Sequence, residues 1–175
     1  KRMDSLGLVD YEPYRGVELT AAGERMALEV IRHHRLIESY LAEALGMPWD
    51  RVHDEAEVLE HYISEELEQL MAAALGDPSH DPHGDPIPSS ELELEEEATR
   101  ALGDLVPGER GVLVRVSDSD PQMLRYLAER GIAPGDHLEV IDRQPFDGPI
   151  TVRIDADTHV LGLTLAQAMR VDQTG

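Results

Sequence analysis

The sequence predicts an α+β fold, a helical half followed by a small β-barrel. Three observations carry this. Apolar residues recur at helical spacing between positions 21 and 75. From Thr99 onward, short runs alternate apolar and polar residues with period 2. Residues 77–98, between them, collect Pro, Gly, Asp and Glu, the composition of a linker.

Taken in order, residues 1–20 read as a helix end and then a hairpin. Gly7-Leu8-Val9-Asp10-Tyr11 and Gly16-Val17-Glu18-Leu19 flank a turn at Pro13-Tyr14-Arg15-Gly16. Thr20 is placed to cap a helix over 21–45, with Met26, Val30, Ile37, Leu41 and Leu45 on one stripe. Gly46 and Pro48 end it. Asp50 is expected to cap a second helix running to about Leu75, with Val52, Leu59, Ile63, Leu67 and Leu70 as its apolar face. Gly76-Asp77-Pro78 stops it. The stretch His80-Asp81-Pro82-His83-Gly84-Asp85-Pro86-Ile87-Pro88 has too many breakers for regular structure. With the acidic run at 91–97 it reads as a solvated tether, its histidines bystanders. In the tail, Gly111-Val112-Leu113-Val114-Arg115-Val116, residues 136–141, 150–154 and 158–162 and Met169-Arg170-Val171 read as strands. Helical turns are expected over 121–130 and 163–168.

The bulk numbers bound the function. The chain has 175 residues, 41% of them hydrophobic, with one Trp and one Phe, so the core is aliphatic. The absence of Cys excludes disulfides and thiolate zinc sites, and fits a cytoplasmic location. No run of 18 apolar residues occurs, so no membrane span and no membrane partner is expected. The net charge of −21 argues against a polyanion partner for these residues taken alone, and is compatible with cation binding.

The most informative stretch is Val52-His53-Asp54-Glu55-Ala56-Glu57-Val58-Leu59-Glu60-His61. His53, Glu57, Glu60 and His61 sit at offsets 0, 4, 7 and 8. On a helix they fall within roughly a 100° arc. Two imidazoles and two carboxylates on one stripe form a donor set for a divalent metal, and His34 and Glu38 at i, i+4 add a second pair. Charge pairing alone leaves unexplained why acids and imidazoles share a face with few Lys or Arg. Nitrogen and hard-oxygen donors suit Mn(II) or Fe(II). The chain carries no H-E-x-x-H motif, no Gly-rich phosphate loop and no nucleophile–base arrangement, so an enzyme is not expected.

These residues resemble the diphtheria toxin repressor family of metal-dependent transcriptional regulators, with its iron-type and manganese-type branches. His34-Arg35-Leu36-Ile37-Glu38 is similar to the family's H-R-L-x-E, and the 52–61 stretch to its V-H-D-E-A-x-x-x-E-H signature. Residues 82–88 resemble its P-x-G-x-P-I-P segment. The resemblance implies four parts: the wing of a winged helix-turn-helix over 1–20, a helical dimerisation and metal-binding domain over 21–76, a linker over 77–98, and an SH3-like (FeoA-like) domain over 99–175. It also implies two metal sites per chain. Glu60 and His61 would serve the primary site, with Glu57 where the iron-type repressor has Cys. His34, Glu38 and His53 would form the ancillary site, completed from the SH3-like domain by Asp120 and Gln122. Glu57 in place of a thiolate makes Mn(II) the first expectation and Fe(II) the alternative.

The chain opens in mid-pattern at Lys1, and the family's recognition helix would precede it. Contact with operator DNA is therefore expected here only from the wing, through Arg15 with Lys1 and Arg2. The expected function is a homodimeric, metal-activated DNA-binding repressor of metal uptake genes. The alternative is an acidic metal-storage or delivery protein with no DNA role, for which the wing-like segment would be superfluous.

Overall fold

The computed structural model describes residues 2–12, 14, 16–95 and 98–173. A short helix α1 (Arg2–Ser5) leads into an antiparallel hairpin, β1 (Val9–Glu12) and β2 (Gly16–Leu19). Arg15 and Lys1, singled out above for phosphate contact, lie outside the described residues.

Helix α2 (Ala21–Ser39) follows at once. Thr20 caps it as expected, its hydroxyl accepting from the Gly23 N–H at 3.1 Å while donating to the Gly7 carbonyl at 2.7 Å. The hairpin rests against the first turn of α2 because position 23 has no side chain. A Cβ there would lie 2.0 Å from the Leu8 carbonyl oxygen. The helix continues through a wider π turn, Tyr40–Ala44, and Gly46 ends it with φ of +68°.

The second helical segment departs from expectation. It is two helices, α3 (Val52–Leu59) and α4 (Glu65–Leu75), broken at 60–64. Ser64 starts α4 by accepting from the Leu67 N–H, and Glu65, Glu66 and Glu68 in the first turn favour a helix N-terminus there over continuation. Asp50 does not cap α3; Arg51 holds that position without a side-chain bond, and Asp50 pairs instead with Arg125 at 3.2 Å. Gly76 closes α4 in the left-handed conformation. Leu36, Ile37, Leu41, Val52, Ala56, Met71 and Ala72 are buried between these helices. The other half of each expected apolar stripe is not: Met26, Val30, Leu45, Leu59, Leu67 and Leu70 are exposed on the single chain.

The expected tether is folded over much of its length. Asp81, His83, Gly84, Ile87 and Pro88 are buried. Asp81 Oδ1 accepts from the His83 and Asp85 N–H groups at 2.8 and 2.9 Å, closing the turn. Two arginines of α2 then grip the loop. Arg32 donates to the Pro88 carbonyl at 2.6 Å, and Arg35 donates to the Pro86 carbonyl and to Asp85. Breaker-rich sequence forbids helix and strand, but here side chains and turns satisfy its backbone instead.

The remaining residues form a six-stranded antiparallel sheet. Its strands are β3 (Arg100–Ala101), β4 (Arg110–Val116), β5 (His137–Arg143), β6 (Ile150–Ile154), β7 (Asp157–Leu161) and β8 (Met169–Asp172). Their order is β3-β8-β4-β5-β6-β7. Irregularities at Leu113/Arg115 and Val140/Asp142 bend it, and one core takes inward residues from β4, β5, β6, β7 and β8. The helices α5 (Pro121–Ala128) and α6 (Leu163–Ala168) add Leu124, Leu127 and Ala166 to that core. The β-rich tail therefore matches the expected small barrel-like domain. No helix among the described residues is long and apolar enough to cross a membrane.

The 81–88 loop joins this domain at Gly84, where φ is +87° and a Cβ would stand 1.9 Å from the Val114 carbonyl oxygen. Gly84→Ala is expected to destabilise the protein by more than about 1 kcal/mol, from backbone strain and the clash together. Urea denaturation measures it; an unchanged midpoint would show that the loop does not need this close approach.

Candidate metal centre

The helices and the loop converge on Glu38. Its carboxylate is 1% exposed. His34, one turn earlier on α2, brings Nε2 to 3.0 Å from Glu38 Oε1. His53, in the first turn of α3, brings Nδ1 to 3.2 Å from the same oxygen. His83, from the loop, brings Nδ1 to 3.7 Å from Glu38 Oε2. The other nitrogen of His34 meets Glu60 Oε2 at 2.7 Å. A cleft of about 330 Å³ opens over His34, Glu38, His53 and Glu60, lined also by Asp81 and Asp118.

Two triads have donor atoms within 4.8 Å of one another here, His34–Glu38–His53 and the buried Glu38–Asp81–His83. Glu38 belongs to both. Their electrostatics follow from burial and crowding. Burial alone would lower the His34 pKa, but Glu38 and Glu60 raise it to about 9. His83 behaves likewise: burial opposes its charge, and Glu38, the Trp49 carbonyl and Asp81 raise it to about 9. Glu38 is held well below the carboxylate range, its burial outweighed by His34 and His83. Asp81 is pushed up to about 7 by burial and by the Glu38 charge.

The residues fit a divalent cation on an observation independent of these values. Nδ1 of His83 is fully buried and is the single such side-chain polar atom, among the described residues, without a hydrogen-bond partner. It lies 3.7 Å from Glu38 Oε2, in a triad with the buried Asp81. An orphan of this kind calls for an explanation, and a cation shared with Glu38 and Asp81 supplies one.

The sequence-derived residues divide into three groups. His34, Glu38, His53 and Glu60 are brought together. Glu57 and His61 stand at the rim, 67% and 70% exposed, with His53 Nε2 3.8 Å from Glu57 and His61 Nε2 4.0 Å from Glu60. The stripe drawn on a continuous helix is cut because α3 ends at Leu59, leaving Glu60 as its C-cap and His61 in the turn. Asp120 and Gln122 are not brought in. Asp120 spends its carboxylate capping α5, accepting from the Gln122 N–H at 2.8 Å, and Gln122 is exposed. From the same segment it is Asp118 that reaches the centre, 3.2 Å from His53 Nδ1. His83 and Asp81 were missed. The available signal was a histidine and an aspartate flanking Pro82 in a segment with no regular structure, which composition alone reads as solvated.

In the metal-free protein, His34 and His83 have pKa values raised from 6.5 to about 9. Their stabilisation is therefore present below about pH 6.5 and is lost as pH rises through about 9. The denaturation temperature of metal-free protein should fall across that window, whereas with saturating Mn(II) it should hold or rise, because a cation displaces those protons. A flat metal-free profile would contradict the paired geometry.

Comparison with known proteins follows the same lines. Residues 20–89 match the family described as iron dependent repressor, metal binding and dimerisation domain, and residues 100–173 match the FeoA domain. The diphtheria toxin repressor of Corynebacterium glutamicum is 32% identical over 98% of this chain and 78% of its own length. The iron-dependent repressor IdeR of Mycobacterium tuberculosis is 32% identical over 98% of this chain and 80% of its own. Among solved structures, a manganese-dependent transcriptional repressor in complex with manganese superposes with a TM-score of 0.92 at 44% identity. That match covers 98% of this chain and 80% of the other. The chain belongs to the diphtheria toxin repressor family of metal-dependent transcriptional repressors.

Proposed function

We propose that this protein is a manganese-activated, DNA-binding repressor that senses metal through two adjoining positions per chain. One observation carries the reading: a buried glutamate, Glu38, meets imidazoles from α2, α3 and the 81–88 loop, and the loop imidazole does so through a buried Nδ1 that makes no hydrogen bond. The deep position takes Glu38, Asp81 and His83, with His34, His53 and Asp118 beside it. The outer position takes Glu57, Glu60 and His61; the exposure of Glu57 and His61 leaves room for further ligands. Glu38, Asp81 and His83 would hold the deep cation, whose positive charge would offset the two buried carboxylates where α2 meets the 81–88 loop. In its absence His34 bridges Glu38 and Glu60, so α2 and α3 are held by protons.

The donors are carboxylate and imidazole throughout, which favours Mn(II) over softer-ligand metals, with Fe(II) as the alternative. The solved relative at 44% identity is named for manganese, and the corynebacterial and mycobacterial relatives carry iron or diphtheria toxin in their names. Dimerisation accounts for the exposed apolar residues of α2, α3 and α4: Met26, Val30, Val58, Leu67 and Leu70 form more apolar surface than a monomer gains from leaving wet. The β1–β2 hairpin seated on the start of α2 is read as a wing, and helix motion at the metal positions is its link to DNA. Metal and duplex then bind with reciprocal coupling.

Calorimetric titration with Mn(II) tests the reading. Two saturable ions per chain are expected, with His83→Ala losing the deep one and Glu57→Ala/His61→Ala the outer one. Selection from a random duplex library, by the protein as the cell makes it, should enrich a palindrome with Mn(II) and not with chelator. Many weak sites indifferent to these substitutions would sink the sensor reading and leave an acidic cation buffer.

A further inference from the structure

We propose that Trp49 is a positioning residue for the deep metal position, and that it makes metal occupancy and docking of the β-rich domain a single equilibrium. This rests on the reading of Glu38, Asp81 and His83 as ligands. Trp49 lies in the connection between the π turn and α3, yet its indole packs against the core of the β-rich domain. Its Nε1 donates to the Leu124 carbonyl of α5 at 3.2 Å. Its own backbone carbonyl accepts from His83 Nε2 at 2.8 Å, and the two rings stack with centroids 5.9 Å apart and planes 25° apart.

A carbonyl oxygen only accepts, so Nε2 of His83 carries a proton and Nδ1 is the nitrogen left for a cation. Metal-binding histidines are commonly oriented in this way, by a backbone carbonyl on the far nitrogen. Trp49 thus sets both the tautomer and the tilt of His83. The His83 carbonyl, in turn, accepts from the Val116 N–H of β4 at 2.9 Å. His83 is therefore held on one side by β4 and on the other by Trp49, a residue of the helical half whose indole is docked on the β-rich core. The Asp50–Arg125 pair at 3.2 Å, next along the chain, crosses the same seam. Lifting the β-rich domain away breaks the Val116–His83 bond and undocks the indole, so the Trp49 carbonyl loses the packing that fixes it against the imidazole. A cation on Nδ1 fixes the imidazole and, through Trp49, fixes the domain. By linkage the two effects are equal in free energy.

Trp49→Phe removes the N–H directed at Leu124 while keeping an aromatic ring and the backbone carbonyl. Wild type, Trp49→Phe and His83→Ala are titrated with Mn(II) by calorimetry, and hydrogen exchange is followed over residues 121–128 with and without Mn(II). In wild type, Mn(II) should slow exchange over 121–128. In Trp49→Phe, affinity at one position should fall roughly two- to tenfold, as expected for one hydrogen bond, the other position should be unaltered, and the slowing should be lost. The proposal is overturned if wild type binds Mn(II) without slowed exchange over 121–128, a reading that needs no variant to fold. It is overturned equally if Trp49→Phe binds both ions as wild type does with the slowing intact. Wild-type binding by His83→Ala would instead remove the deep position itself, and the proposal with it, so the two failures are told apart.

Discussion

Glu38 keeps a carboxylate charge at 1% exposure, and the surrounding structure is arranged to make that tolerable. A buried charge is costly unless it is paired and hydrogen-bonded. Here the compensation comes from three imidazoles, each delivered by a different element: His34 from α2, His53 from α3 and His83 from the 81–88 loop. The loop lies far in sequence from α2 and α3, which are themselves successive helices. Their packing is therefore tied to one negative charge, which is also the group that two candidate ligand triads share. Stability and the proposed metal sensing draw on the same carboxylate.

The loop is the least regular part of this arrangement and the most tightly specified. Arg32 and Arg35 sit three residues apart on α2, so they lie side by side on one face and reach the same strip of loop carbonyls. Arg115 of β4 meets Asp85 at 3.2 Å from the other side. In a chain of net charge −21, several of its 15 basic residues are thus spent inside, pinning a loop that carries buried acids.

Much of this was legible in the sequence, for physical reasons that also explain what was not. Thr20, Gly46 and Gly76 mark helix boundaries through backbone chemistry that acts locally, and they stand where expected. The alternation in β5 and β6 reports which side faces the core, because a strand's period leaves no other choice. His34, Glu38 and His53 come together because i, i+4 spacing and a helix–helix contact are both visible in pattern. The failures lie where tertiary partners decide. Ser64 could sit mid-helix or start one, and three following acids tip it toward a start. Asp118, not Asp120, faces His53 because a carboxylate at 120 caps α5. His83 looks solvated until Arg32 and Arg35 fold its loop inward.

The seating of the hairpin on α2 has a mechanical consequence. Gly23 lets the Leu8 carbonyl lie directly on the helix, and Thr20 bonds the hairpin base to the helix end. The hairpin and the first turn of α2 therefore travel as one body. Glu38 lies eighteen residues further along the same helix, about 27 Å away at 1.5 Å per residue. The helix is a lever with Glu38 and its imidazoles near the fulcrum and the hairpin at its far end. A tilt of about 4° at Glu38 carries the hairpin about 2 Å by simple geometry on that length. An adjustment at Glu38 well under the length of a hydrogen bond is thereby amplified, by length alone, into a displacement of the hairpin that the proposed function reads as a wing.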